Sequence, residues 1–159
     1  MIKILQTFFL LLFIINPTIA QTSRIIDGDT LEAKIINKYR LAGIDAPEQN
    51  QPFGEQASQK LKELLENNEL AGIWCLPKAD KYGRDICILS LNTLDGSKID
   101  PAEELIKAGL AEVEYTQFLP PSTELIYRTA EEKAKQAKLG IWKQQNYIKP
   151  AQWRKNSKN

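Results

Sequence analysis

The tightest constraint on the fold is how often turns interrupt the apolar pattern. Arg24–Ile26 runs straight into Asp27-Gly28, a tight turn pair. Thr30–Ile36 then alternates, with Leu31, Ala33 and Ile35 on one face. Asn37-Lys38 turns the chain into Tyr39–Ile44, so this stretch predicts a β-meander. Leu70–Leu76 and Arg84–Leu91 are two further strands joined by the polar loop Lys78–Gly83. Asn92–Ser97 is turn chemistry throughout.

Helices fall between and after these strands. Gly54–Glu66 is amphipathic, with Ala57, Leu61, Leu64 and Leu65 as its apolar stripe. Asp100-Pro101-Ala102-Glu103 is a helix start, with Asp at the N-cap, Pro at N1 and Glu at N3. That helix stops at Gly109, and a third runs from Ser122, after Pro120-Pro121, to Gly140. Short strands with inserted helices predict an α+β, mainly β chain: a five-stranded OB-fold barrel with about three helices. Nothing repeats and no linker divides the chain, and a hydrophobic content of 43% fills a single core. Residues 21–149 are therefore expected to form one domain. Residues 150–159 read as a polar tail, with Arg154–Asn159 frayed.

The first twenty residues read as a separate device. Lys3 precedes the apolar run Phe8–Ile15, and Thr18-Ile19-Ala20 places small residues at the cleavage positions of a signal peptide. The run is too short to span a bilayer as a helix. Residues 1–20 thus predict cleavage after Ala20 and a secreted or periplasmic chain, with no stable membrane association afterwards. With Lys3 removed, the 21 Lys and Arg become 20, against 20 Asp and Glu. Such a balance argues against coating nucleic acid by bulk charge and leaves room for a local basic site.

The chain contains no histidine. This excludes Ser-His-Asp and Cys-His catalysis, His-ligated zinc and a His general base. Three charged clusters remain. Asp27-Gly28-Asp29-Thr30, taken alone, is a hairpin turn. In Arg40–Glu48 an arginine lies inside an apolar strand, with Asp45 and Glu48 at its exit; a plain ion pair explains that equally well. Asp80-Lys81-Tyr82-Gly83-Arg84 is a charged loop tip. Together they make chemical sense. Asp29 and Asp45, at the ends of neighbouring strands, suit one hard cation such as Ca²⁺, Mg²⁺ or Mn²⁺. Arg40 and Arg84 offer planar forks for a phosphate, and Glu48 is a carboxylate able to orient or deprotonate water.

In order and in internal spacing, DGDT, RLAGIDAPE and DKYGR resemble the staphylococcal nuclease (thermonuclease) family. The likeness continues through Phe53–Ser58, Gly109-Leu110-Ala111 and Ala137–Trp142, covering residues 24–143. The resemblance implies an OB-fold monomer that cleaves DNA and RNA with Ca²⁺ and leaves 3′-phosphates. It implies Asp29 and Asp45 as calcium ligands, joined by the backbone carbonyl of Ala46. Arg40 and Arg84 would bind the scissile phosphate and stabilise transition-state charge. Glu48 would act as general base or position the water, while Lys81, Tyr82 and Tyr115 would lie near the bound nucleotide. Gln117 departs from the family pattern, which has a second base-pocket Tyr there. The alternative is a catalytically silent OB-fold module that binds nucleic acid, though such a module is expected to lose an Asp, an Arg or the Glu.

The two cysteines predict a disulfide. Cys75 and Cys87 lie symmetrically about Lys81, the tip expected for the hairpin between the last two strands, so their Cβ atoms should face each other.

Overall fold

A tight Asp-Gly turn can join only strands that run antiparallel, and the chain begins with such a hairpin. The computed structural model describes residues 23–33 and 38–157, with backbone alone for 23–25 and 31–33. Strand β1 (Ser23–Asp27) pairs antiparallel with β2 (Thr30–Ala33), and β2 with β3 (Lys38–Leu41). The expected signal peptide (1–20), the Asn37 turn position and the far end of the predicted second strand lie outside the described residues. Beyond β3 the order changes. Strand β6 (Arg84–Asn92) pairs parallel with β3 and antiparallel with β5 (Glu69–Cys75), giving the path β1-β2-β3-β6-β5. The short β7 (Lys98–Ile99) also pairs with β6.

The predicted strand Tyr39–Ile44 is broken in two. Gly43 takes φ 78°, and its missing side chain leaves room for Leu119 and Tyr127 to pack against it. The chain therefore leaves β3 and re-enters as β4 (Ile44–Asp45), which pairs antiparallel with β8 (Glu112–Val113) in a separate sheet. The fold is mixed α+β with two sheets. Among the described residues β1 and β5 stand at opposite ends of the strand path, so the predicted barrel is not closed by strand pairing.

There are four α-helices among the described residues where about three were expected from pattern. Helix α1 (Gly54–Glu66) buries the predicted stripe of Ala57, Leu61, Leu64 and Leu65. Helix α2 (Pro101–Lys107) starts under its predicted cap, with Asp100 accepting from the Ala102 amide at 2.8 Å. Helix α3 (Pro121–Gln136) ends before Gly140 because Lys138 enters the left-handed region at φ 52°. A 3₁₀ turn, Gly140–Lys143, follows. The fourth helix was not expected: Pro150–Asn156, read as part of a frayed polar tail, forms α4. Pro150 at its first turn fixes a helical φ and needs no amide partner.

The core lies between the sheet and helices α1 to α3, where Leu41, Ile44, Leu61, Leu91, Leu105, Ile106, Tyr127 and Ile141 are fully buried. Each such side chain contributes roughly 1.5–3 kcal/mol of burial. Tyr127 donates to Asp100 at 2.6 Å, so the cap of α2 is tied to α3. Cys75 and Cys87 face each other across β5 and β6 and form a disulfide.

Candidate active site

Backbone geometry brings the three charged segments to one end of the sheet. Asp29 sits in the β1–β2 turn, where its backbone carbonyl accepts from Leu41 of β3 at 2.9 Å. Glycine at position 28 lets this turn press against Ala46 and Ala57. Asp45 closes β4, held opposite Glu112 by the β4–β8 pairing. That pairing is itself anchored by α3, because buried Glu131 accepts from the Val113 amide at 2.8 Å. Arg84 opens β6 opposite Lys38, and Arg40 lies opposite Ile86. Alternation along both strands then puts Arg40 and Arg84 on the same face.

Arg40 is buried and bridges both aspartates. Its Nη1 donates to Asp29 Oδ1 at 3.0 Å, and its Nη2 donates to Asp45 Oδ1 at 3.0 Å and to the Ile44 carbonyl at 2.9 Å. Burial works against the Arg40 charge, but Asp29 and Asp45 outweigh it and hold the group protonated. Asp29 also accepts from Thr30 Oγ1 at 2.8 Å and from the Ala46 amide at 2.9 Å. Burial pushes the Asp29 carboxyl up to about 7, against the pull of Arg40.

The loop before β6 is organised around Asp80. Its Oδ1 accepts from the Tyr82 and Arg84 amides at 2.8 and 3.0 Å, and its Oδ2 accepts from Arg84 Nε at 2.8 Å. Burial would raise Asp80, but the Arg84 and Tyr82 hydrogen bonds hold it below the usual carboxylate range. Arg84 reaches on to Thr30 Oγ1 at 3.2 Å. Both Lys81 and Arg84 stack over the Tyr82 ring, and Arg40 lies over Tyr115.

Six of the predicted site residues, Arg40, Glu48, Lys81, Tyr82, Arg84 and Tyr115, line one open cavity of about 710 Å³. Asp29, Asp45 and Ala46 lie behind that lining. Gln117 and Phe118 complete the side near Tyr115. The sequence reading missed Arg154, which enters the cavity from α4. Its Nη1 and Nη2 donate to Asp45 at 3.1 and 2.8 Å, and Nη1 donates to Glu48 Oε1 at 2.6 Å. The missed signals are Pro150 as a helix start and Trp153, an apolar side chain able to seat that helix.

Among the described residues no three His, Cys, Asp or Glu side chains converge as a ready-made metal cluster. The donor chemistry nevertheless fits a hard cation. Asp29 and Asp45 present buried carboxylate oxygens, the Ala46 backbone adjoins Asp29, and no soft ligand intervenes. The outer face of the acid group already holds a positive charge, that of Arg154.

Residues 38–144 match the family described as staphylococcal nuclease homologue. The chain is 34% identical to an uncharacterized endonuclease of Haemophilus influenzae, over 98% of this chain and 87% of that protein. It is 35% identical to endonuclease YncB of Bacillus subtilis, over 85% of this chain and 65% of that protein. It is 32% identical to a micrococcal nuclease of Shigella flexneri, over 86% of this chain and 80% of that protein.

Proposed function

Since the chain belongs to the staphylococcal nuclease homologue family, we propose that it is an exported endonuclease that hydrolyses phosphodiester bonds of DNA and RNA to 3′-phosphate ends. The observation that carries this reading is the shared cavity. The guanidiniums of Arg40 and Arg84, the Glu48 carboxylate and the rings of Tyr82 and Tyr115, from distant segments, line it together. Arg40 and Arg84 bind the scissile phosphate and offset the charge that builds on its oxygens. Glu48 orients a water and takes its proton as the water oxygen bonds to phosphorus. The bond that breaks runs from phosphorus to the 5′-oxygen, which leaves with the bonding electrons and takes a proton from solvent, so the phosphate stays on the 3′ side. Lys81, Tyr82 and Tyr115 hold the neighbouring nucleotide by charge and by stacking.

Asp29, Asp45 and the Ala46 carbonyl would hold Ca²⁺, which when bound would supply Lewis-acid polarisation of the phosphate. Family membership supports an OB-type barrel, although no strand pairing among the described residues joins β1 to β5. Export by residues 1–20, followed by life as a monomer free of the membrane, fits a chain that carries a disulfide. In none of the described helices is the chain long and apolar enough to cross a membrane.

The test is a zymogram of residues 21–159 on DNA and on RNA, run with Ca²⁺ and with excess EGTA. Clearing with Ca²⁺ and none with EGTA is expected. Full clearing in EGTA overturns the metal assignment. No clearing in either condition overturns the nuclease and leaves the silent binding module.

A further inference from the structure

Helix α4 is held to the site by polar contacts more than by apolar packing. Only Pro150 of the helix is buried. The contacts that seat it converge on residues 45–51. Arg154 bonds Asp45 and Glu48, Trp153 Nε1 donates to Asn50 Oδ1 at 3.0 Å, and Gln51 Nε2 donates to the Ile148 carbonyl at 2.6 Å. The Arg154 guanidinium takes both oxygens of Asp45 and one of Glu48, at 2.6 to 3.1 Å. A calcium ion needs oxygens about 2.3–2.6 Å away with room for six to eight of them. Asp45 Oδ1 also accepts from Arg40, so an ion bound through Asp45 competes with the Arg154 guanidinium for oxygens that already have partners.

The geometry points to Arg154 as an intramolecular occupant of the cation site, expelled when the metal binds. Without metal, its charge neutralises Asp45 and Glu48. With metal, those oxygens change partner, the main tether of α4 is lost and Glu48 is freed toward the cavity. One side chain thereby links three events: filling of the metal site, release of α4 and exposure of the carboxylate proposed to handle the water. This inference rests on the Ca²⁺ reading above.

The experiment measures binding and conformation, not turnover. Calcium isotherms are recorded by calorimetry on metal-free residues 21–159 as wild type, Arg154→Gln and Arg154→Lys. In parallel, the Trp153 indole N–H resonance, assigned with Trp153→Phe, is followed through a calcium titration. The expected result is roughly tenfold or greater tightening of Ca²⁺ binding in Arg154→Gln, the change corresponding to removal of a competing cation. Arg154→Lys should fall between it and wild type. The Trp153 resonance of the wild type should move to a solvent-exposed position at saturation. Equal or weaker binding by Arg154→Gln, with wild-type binding intact, overturns the occupant role and leaves the metal assignment standing. An unmoved Trp153 resonance at saturation overturns the release of α4. No calcium binding in wild type or Arg154→Gln overturns the metal assignment itself, and this inference with it.

Discussion

Arg40 and Arg84 share a cavity but not a structural role, so their alanine variants should separate. Arg40 is the counter-charge of two buried aspartates. Removing it strands Asp29 while Asp45 keeps Arg154, and breaking a buried pair costs about 3–5 kcal/mol. Arg84 sits at a loop end, where its acidic partner among the described residues is Asp80. Arg84→Ala should lower turnover about 10²–10⁴-fold with little change in the urea midpoint. Arg40→Ala should lower both. Turnover unaltered in both variants would refute the phosphate roles. A second residue makes a prediction about pH. Glu112 is buried in β8, its Oε1 lacks a hydrogen-bond partner among the described residues, and burial lifts its carboxyl from 4.5 to about 7, with Lys149 pulling back. Between those values the folded chain keeps a proton that the unfolded chain has released, so stability falls as pH rises and levels off above 7. The slope amounts to at most about 3 kcal/mol. Glu112→Gln should remove this share of the slope, leaving the one Asp29 contributes over the same range: metal-free melting curves of variant and wild type should coincide near pH 4 and diverge toward pH 8, the variant melting higher. Curves that stay parallel across that range would contradict the shift.

At the scale of elements, the disulfide makes β5 and β6 the brace of the site. It closes a loop of sequence separation 12 whose tip carries Asp80, Lys81, Tyr82 and Arg84. In the chain-entropy model such a loop contributes about 3 kcal/mol. Thiol reduction should therefore lower the urea midpoint with the fold still present in benign buffer. An unchanged midpoint would show that the hairpin is held by packing alone. Elements whose cause is local were legible in the sequence. The stripe of α1 and the Asp100 cap of α2 depend on residues within a turn or two, and both form at their expected starts. The Cys75–Cys87 pairing followed from hairpin symmetry. The break at Gly43 was not legible, because it depends on Leu119 and Tyr127 arriving from far along the chain. Arg154 escaped for the same reason: its partners Glu48 and Asp45 lie 106 and 109 residues away. In sequence it looks like one more charge in a polar tail. The charged segments themselves were readable, since each compresses its chemistry into a few adjacent residues. An ion pair between Arg40 and Asp45 was legible and forms; that Asp29 and Arg154 would join it was not.

For the whole molecule, charge distribution decides how substrate is held. After residue 20 the chain carries equal numbers of acidic and basic side chains, so it has no overall field to draw a polyanion. Affinity must come from a few cations at the cavity, chiefly Lys81 and Arg84, with Arg154 beside them. Arg40, enclosed by two aspartates, adds little long-range potential because its charge is already compensated. Each phosphate neutralised contributes about 0.7–0.9 to the slope of log affinity against log salt. Two or three contacts therefore predict a slope of about −1.4 to −2.7. The measurement is oligonucleotide binding by Glu48→Gln with Ca²⁺ present, across a salt series, so that cleavage does not erode the substrate. Lys81→Ala in that background should make the slope shallower by about 1 and weaken binding to every sequence alike. A slope steeper than about −6 would mean that a wider basic surface takes part. A slope indistinguishable from zero would mean that stacking on Tyr82 and Tyr115, not charge, supplies the affinity, and the phosphate-centred reading of this cavity would then fail.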